Sequence, residues 1–200
     1  MRIEHVSQLL IRAVIIGLCL IATFTFQIHY LSAFDVGQRI SLFYIPAAVI
    51  TLSALTLRQQ AAFGVFLGYG VINLVMHDEY KLDAIILSLT PPVVMVLTIA
   101  LLSLVSRRIG HFFGPSSTLA DIDAFDILLF CAGYGIVNAS LHNLLFYLDP
   151  TFATPVSALS VVQMMFGDLT GSFLGFIGLN LSYSVMSRLI RTKRPRGGRV

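Results

Sequence analysis

Two short stretches of the chain repeat the same spacing of an amide and an imidazole side chain. Residues 68–77 read Gly-Tyr-Gly-Val-Ile-Asn-Leu-Val-Met-His, and residues 133–142 read Gly-Tyr-Gly-Ile-Val-Asn-Ala-Ser-Leu-His. Residues four apart share one face of a helix, so Asn73 lies beside His77 and Asn138 lies beside His142. Amide and imidazole groups can both donate and accept hydrogen bonds. We therefore predict that the two pairs contribute to one paired binding site.

A single acid lies in the last long apolar stretch, where residues 166–175 read Phe-Gly-Asp-Leu-Thr-Gly-Ser-Phe-Leu-Gly. An acidic side chain inside a membrane span is costly, and it usually faces the interior of the helix bundle or water. The spacing along the chain places Asp168 at a depth comparable with the two Asn-His pairs. The sequence therefore predicts an outward-facing, ligand-binding polar pocket formed by Asn73, His77, Asn138, His142 and Asp168.

Each of these side chains also has a purely structural interpretation. The two Asn side chains could bond across helices as packing contacts. The two His side chains could face the water at the membrane surface, and Asp168 could be exposed if the last span begins later. These alternatives stay open at the level of the sequence.

Metal or haem binding is a further alternative for the same residues. His77, His142 and Asp168, helped by Asp78 or Glu79, have the ligand types of a zinc or copper site. Two His side chains on facing helices could hold a haem iron. Because each His stands alone in its helix, we predict no metal site and leave the cofactor unknown.

No catalytic signature accompanies the pocket. The chain contains no Gly-x-Ser-x-Gly, no His-Glu-x-x-His, no P-loop and no paired Cys motif. We therefore predict that the protein is not an enzyme.

The elements that position these residues are membrane-spanning helices. Hydrophobic residues make up 56% of the chain and charged residues only 12%, which is typical of a polytopic membrane protein. A span needs about 20 apolar residues. The chain offers six such stretches, near residues 9–28, 40–57, 61–77, 83–106, 123–147 and 162–187. We predict an all-α protein with six transmembrane helices, although the first stretch could instead be a cleaved signal peptide.

The distribution of basic residues predicts the orientation. Of the 13 Lys and Arg residues, only Arg39 and Lys81 fall on one side of the six-span arrangement. The positive-inside rule then places both termini in the cytoplasm. Residues 1–190 form a single integral membrane domain, and residues 191–200 form a basic cytoplasmic tail that suits anionic lipid headgroups. In this arrangement the two repeated phrases run in the same direction, which makes the internal repeat parallel.

Glycine and proline residues mark close contacts and bends. Small residues let helices approach closely in a membrane. We predict helix-packing roles for Gly64, Gly68, Gly133, Gly167, Gly171 and Gly175. Proline bends a helix because it removes an amide donor, and we predict kinks at Pro46, Pro91 and Pro92.

Three segments resemble the membrane-associated sensor domain of the MASE type. They are Phe43-Tyr-Ile-Pro-Ala-Ala-Val, Ala62-Phe-Gly-Val-Phe-Leu-Gly-Tyr-Gly-Val-Ile-Asn73 and Phe166-Gly-Asp-Leu-Thr-Gly-Ser-Phe-Leu-Gly175. The resemblance covers roughly residues 30–185. The positions that match the family pattern are Pro46, Gly64, Gly68, Asn73, Gly167, Asp168 and Gly171. The chain departs from the pattern in having no Trp before the proline and Ala47 and Ala48 after it.

The resemblance implies a sensory module of the bacterial inner membrane. Such domains usually precede a signalling enzyme, and no output domain fits in the residues of this chain. A standalone sensor would signal through a separate cytoplasmic or membrane partner. A small-molecule transporter, or its substrate-binding subunit, is the main rival, because internal repeats are common among transporters. The other rivals are a membrane enzyme or redox protein and a scaffold subunit of a larger complex. The bilayer is a partner in each case, nucleic acid is not, and the oligomeric state stays open, a homo-oligomer included.

Overall fold

The structure, a computed structural model, describes residues 3–37, 40–76, 81–113, 123–148 and 156–192. Its helices are α1 (Ile3–Tyr30), α2 (Pro46–Leu57), α3 (Ala61–Val71), α4 (Lys81–Val105), α5 (Arg107–Phe112), α6 (Ala124–Leu148) and α7 (Ala158–Thr192). Short 3₁₀ turns lie at Ser32–Phe34 and Arg58–Gln60, and a π-helical turn, Ile72–Met76, continues α3. Two short strands, β1 (Asp35–Gly37) and β2 (Ile40–Ser41), pair antiparallel. Helix accounts for about 91% of this part of the chain, which is therefore all-α.

Four helices are long and apolar enough to cross a membrane. They cover Val6–Tyr30, Leu82–Val105, Ala124–Leu148 and Ala158–Gly178. Large apolar side chains point outward from them, and Leu18, Leu104 and Phe125 are each more than half exposed. Outward apolar surface on long helices is what a lipid environment requires. The long apolar helices support the prediction of a membrane protein.

The second and third predicted spans are shorter as helices. Residues 40–45 are not helical, and α2 begins only at Pro46. The prediction of a kink at Pro46 is therefore wrong, because a proline in the first turn of a helix has no helical amide bond to lose. α2 is about 18 Å long, and α3 with its π-helical turn is about 24 Å long, at 1.5 Å per residue.

Six helices pack with a closed sequence of neighbours, a ring in which α2 is largely buried and also contacts α3, α4 and α6. Around the ring, α1 packs against α3, α3 against α4, α4 against α6, α6 against α7, α7 against α2, and α2 against α1. The short helix α5 packs against α4. The ring interior holds an apolar core that includes Leu20, Ile50, Val65, Met95 and Tyr134. The repeated phrases lie in α3 and α6, one on each side of α4.

Glycines bring α1 and α3 into backbone contact. A Cβ atom built on Gly64 would lie 2.8 Å from Ile16 Cβ, and one built on Gly68 would lie 3.1 Å from Gly17 Cα. These distances leave no room for a larger side chain. A Cβ atom built on Gly133 would instead lie 3.1 Å from Cδ1 of Leu102 in α4. The two copies of the phrase therefore use their first glycine against different helices.

Gly167, Gly171 and Gly175 form a glycine stripe on α7. The stripe packs against a non-helical segment of chain as well as against a helix. A Cβ on Gly167 would overlap the carbonyl of Ser41, and one on Gly171 would overlap the carbonyl of Tyr44. Only Gly175, against Ala48 of α2, meets another helix. The prediction of helix packing at Gly167 and Gly171 is wrong, since both glycines pack against the non-helical backbone of residues 41–45.

Hydrogen bonds hold that extended segment, residues 41–45, between α1 and α7. Tyr44 N–H donates to the Gly167 carbonyl at 3.1 Å, and the Thr170 hydroxyl donates to the Leu42 carbonyl at 2.7 Å. From α1, Gln27 donates to Ser41 Oγ at 3.0 Å and accepts from Ile45 N–H at 3.2 Å. Non-helical backbone is tolerated inside a membrane protein only when its polar groups are satisfied in this way.

At the start of α6, three charged side chains form a clasp. Arg108 contacts Asp123 at 2.7 Å and Asp126 at 2.9 Å. Asp126 N–H donates to Asp123 Oδ1 at 2.9 Å, and Asp123 N–H donates to Asp126 Oδ2 at 3.3 Å. This reciprocal cap lowers the pKa of Asp123, first through the Asp126 N–H and then through Arg108. The clasp ties α5 to the first turn of α6.

Candidate ligand-binding cavity

A cavity of about 200 Å³ lies inside the helix ring. It is lined by the C-terminal halves of α1, α3 and α6, by the N-terminal halves of α4 and α7, and by the segment between α1 and α2. Its polar lining residues are Gln27, Asp35, Ser41, Tyr44, Tyr69, Asn73, Asn138, His142 and Asp168. Four of the five predicted pocket residues therefore line one cavity. The fifth, His77, lies outside the residues that the structure describes, as do Asp78 and Glu79.

Asn138 and Asp168 form the deepest polar pair. Asn138 Nδ2 donates to Asp168 Oδ2 at 2.7 Å, and the side chains are 5% and 1% exposed. Asp168 lies ten residues after the start of α7, which is about 15 Å along the helix. Asp168 therefore lies midway along the apolar part of α7, Ala158–Gly178.

The single oxygen of the Asn138 side-chain amide, Oδ1, is buried and has no hydrogen-bond partner among the described residues. A buried acceptor left unsatisfied costs about 1–3 kcal/mol. Because the amide nitrogen must face the carboxylate, rotating the amide cannot relieve that cost. Asn138 Oδ1 is thus an unsatisfied acceptor beside the cavity.

In the other copy of the phrase, the side-chain amide of Asn73 also has a defined orientation. The Ser88 hydroxyl donates to the Ala84 carbonyl, so it can only accept from Asn73 Nδ2, which lies at 3.1 Å. The chain of donors fixes the orientation of the Asn73 amide. Its carbonyl oxygen is then left as the acceptor of this side chain.

His142 is half-buried and lies one helical turn after Asn138. Its Nδ1 is 3.1 Å from the Asn138 carbonyl, one turn earlier in α6. A carbonyl can only accept, so Nδ1 carries the hydrogen. The imidazole ring also packs against Phe146, with ring centroids 6.0 Å apart. These contacts hold the ring at the cavity wall.

Two tyrosines contribute a wall that the sequence did not reveal. Tyr44 and Tyr69 share a hydrogen bond of 2.6 Å between their hydroxyl oxygens. Tyr69 belongs to the Gly-Tyr-Gly opening of the first phrase, and its counterpart Tyr134 is almost fully buried. The repeat could therefore have identified Tyr69 from the sequence. No sequence pattern identifies Tyr44, because it reaches the cavity only through the path of residues 41–45 between α1 and α7.

The prolines of α4 lie next to the same cavity. α4 continues through Pro91 and Pro92, and Pro91 lines the cavity together with Leu87. The two prolines leave the carbonyls of Leu87 and Ser88 without their usual helical amide donors.

The described side chains do not form a metal-binding group. No three His, Cys, Asp or Glu side chains converge within the residues that the structure describes. Cys19 and Cys131 are both free thiols, and they lie on different helices.

The fold and the cavity define a helical membrane protein with a polar chamber inside a closed ring. No protein-family model, curated protein or solved structure matches the chain.

Proposed function

We propose that this protein is an inner-membrane sensory or ligand-binding module whose polar cavity opens outward. One observation carries the proposal: both repeated phrases and the acid of α7 supply side chains to a single cavity. Asn73, Asn138 and Asp168 are each at least 94% buried there, yet Asn138 Oδ1 has no hydrogen-bond partner among the residues that the structure describes. Structural packing alone would favour satisfied polar groups or apolar replacements.

All six helices of the ring cross the membrane in this proposal. α2 alone is too short to cross a hydrocarbon core of about 30 Å. In this proposal the non-helical residues 40–45 before it complete the crossing. With six crossings, the basic residues place both termini in the cytoplasm, and residues 193–200 of the predicted tail lie outside the described residues.

The repeat is parallel in this arrangement. Asn73 lies in the C-terminal part of α3, and Asn138 lies in the C-terminal half of α6. Both line the same cavity, while the intervening helix α4 contributes its N-terminal half. Antiparallel neighbours joined by short connections produce this polarity.

Signalling through a separate partner follows from the resemblance to MASE-type sensors. In this proposal, ligand occupancy changes the packing of α7 against the extended segment and α2. The short helix α5 and the clasp at Arg108 would present that change to a cytoplasmic or membrane partner, which includes a second copy of this chain.

A screen of small metabolites by thermal unfolding of the purified protein in lipid nanodiscs tests ligand binding. We expect at least one compound to raise the unfolding temperature. The double variant Asn73→Leu/His142→Leu, which keeps side-chain volume, should lose that shift. Thr98→Val is the matched control, because the Thr98 hydroxyl bonds only within its own helix and lies outside the cavity. A shift that survives in the double variant would contradict the proposal.

A small-molecule transporter is the second candidate, and the polar chamber inside a helical ring is the observation that favours it. Proteoliposomes that contain only this protein distinguish the two candidates. A sensor binds the compound identified in the screen without accumulating it, whereas a transporter accumulates it in the lumen.

A further inference from the structure

Two asparagine side chains of the cavity turn an amide N–H toward a partner inside the protein. Asn138 donates one amide hydrogen to Asp168, and Asn73 donates one to Ser88. Their carbonyl oxygens, like an ionised Asp168 carboxylate, can only accept. A ligand that donates hydrogen bonds matches these oxygen atoms.

The charge of the lining points the same way. Asp168 is a buried acid that lines the cavity, and Asp35 of β1 is an exposed acid that also lines it. Among the described lining residues there is no Lys and no Arg. A buried carboxyl group stays ionised only when a positive charge or several donors compensate it. A bound cation would supply that compensation.

The remaining walls are aromatic and aliphatic. Phe24 and Phe146 line the cavity together with Tyr44 and Tyr69. Aromatic faces attract organic cations, whereas a bare inorganic ion would need a shell of oxygen ligands that such walls do not provide. A cavity of about 150 Å³ holds one benzene molecule in another protein. The volume here, about 200 Å³, suits a ligand slightly larger than benzene.

We propose that the cavity binds a small organic ammonium ion, with its nitrogen between Asp168 and Asn138 Oδ1 and its apolar part among the aromatic side chains. This inference rests on the proposed ligand-binding function and names the chemical class of its ligand. Charge and hydrogen-bond direction select the cation, and the walls select an apolar body of limited size.

Three probes of nearly equal size test the charge requirement. Benzylamine is a cation at neutral pH, benzyl alcohol is neutral, and benzoate is an anion. Binding to the full-length protein in nanodiscs is measured by isothermal titration calorimetry. We expect benzylamine to bind at least tenfold more tightly than benzyl alcohol, and benzoate to bind more weakly still.

Two charge-neutralising variants locate the site. Asp168→Asn keeps the side-chain shape and an oxygen that can accept from Asn138, and it should weaken benzylamine binding at least tenfold while changing benzyl alcohol binding less than twofold. Asp83→Asn is the matched control, because Asp83 is an acid of α4 outside the cavity. If Asp168→Asn does not fold, Asp35→Asn gives the second measurement, with an expected loss of about threefold.

The outcomes separate this inference from the function on which it rests. Equal or tighter binding of benzyl alcohol or benzoate would overturn the cation assignment, but would leave a ligand-binding cavity. Absence of binding by all three probes would also overturn it, and the metabolite screen would then decide the function by itself. Unchanged benzylamine binding in Asp168→Asn would show that the cation sits elsewhere.

Discussion

At the residue scale, the two asparagines of the repeat differ in the acceptor to which each amide donates. Asn138 donates to a carboxylate, whereas Asn73 donates to a neutral hydroxyl. Hydrogen bonds to charged groups contribute about 1.5–3 kcal/mol. Neutral bonds between membrane helices average about 0.6 kcal/mol. Equivalent positions of one sequence phrase therefore hold unequal shares of the stability.

Replacing each asparagine by leucine measures that difference. We expect Asn138→Leu to lower the free energy of unfolding by about 1.5–3 kcal/mol, because it leaves Asp168 without its donor. Asn73→Leu should cost only about 0.6 kcal/mol. Unfolding in mixed micelles provides the measurement, and Asn73→Leu serves as the control of matched size. Equal costs for the two variants would contradict the assigned roles.

The sequence predicted the local part of the site and missed the long-range part. Asn138 and His142 lie four residues apart on one helix, so helix geometry alone placed them together. Gln27 and Tyr44 reach the cavity because residues 41–45 enter between α1 and α7. No local pattern encodes that path, since it depends on the small surface that distant glycines of α7 provide.

At the element scale, the glycine stripe of α7 is the surface against which residues 41–45 pack. Gly167 and Gly171 face backbone carbonyls, which cannot move aside as a flexible side chain could. In contrast, a Cβ on Gly178 of the same helix would meet nothing within 4 Å. The sequence showed the stripe, but its period of four residues could not show whether a helix or extended chain would fill it.

Alanine substitutions along α7 test this seating. Gly171→Ala should lower the free energy of unfolding by about 3 kcal/mol or more, at the upper end of the cost of overpacking. Gly178→Ala is the matched control and should be neutral or stabilising by up to about 1 kcal/mol, because alanine favours helix more than glycine does. Both are measured by unfolding in mixed micelles. A tolerated Gly171→Ala would mean that the segment lies elsewhere.

The cap of α6 gives a pH-dependent prediction. The folded-state pKa of Asp123 is lowered from 3.8, so the cap contributes fully above that pH and is lost as pH falls through the folded-state value. Asp123→Ala should therefore lower the unfolding temperature at pH 7 and have little effect near pH 2. Thermal unfolding at the two pH values measures the difference. An effect of equal size at both values would exclude the carboxylate as its source.

At the scale of the whole molecule, the ring depends on α2 and α3 crossing the membrane. Four helices meet the length and composition of a span by themselves. In the proposed topology α2 would do so only together with the non-helical residues before it, and a search for continuous apolar helices does not detect such a combination. The composition of the chain predicted a membrane protein correctly, whereas the proposed second crossing rests on the path of residues 40–57 in the structure.

Thiol labelling in intact cells tests that topology. In a variant with Cys19 and Cys131 replaced by alanine, Ser32→Cys should react with a membrane-impermeant reagent from outside. Gln59→Cys, in the turn between α2 and α3, should react only after the membrane is opened. Labelling of Gln59→Cys in intact cells would show that α2 does not complete a crossing.

The most direct test of the shared, water-accessible cavity is the reaction rate of cysteines placed in the two repeated phrases. In the same alanine background, Asn73→Cys and His142→Cys are treated with a small cationic methanethiosulfonate. Leu74→Cys and Leu144→Cys, at exposed apolar positions on the same helices, are the controls. Thiols react as thiolates, which need water and a polar environment. We predict rates at least tenfold higher at positions 73 and 142; equal rates, or faster reaction at 74 and 144, would contradict a polar chamber shared by the two phrases.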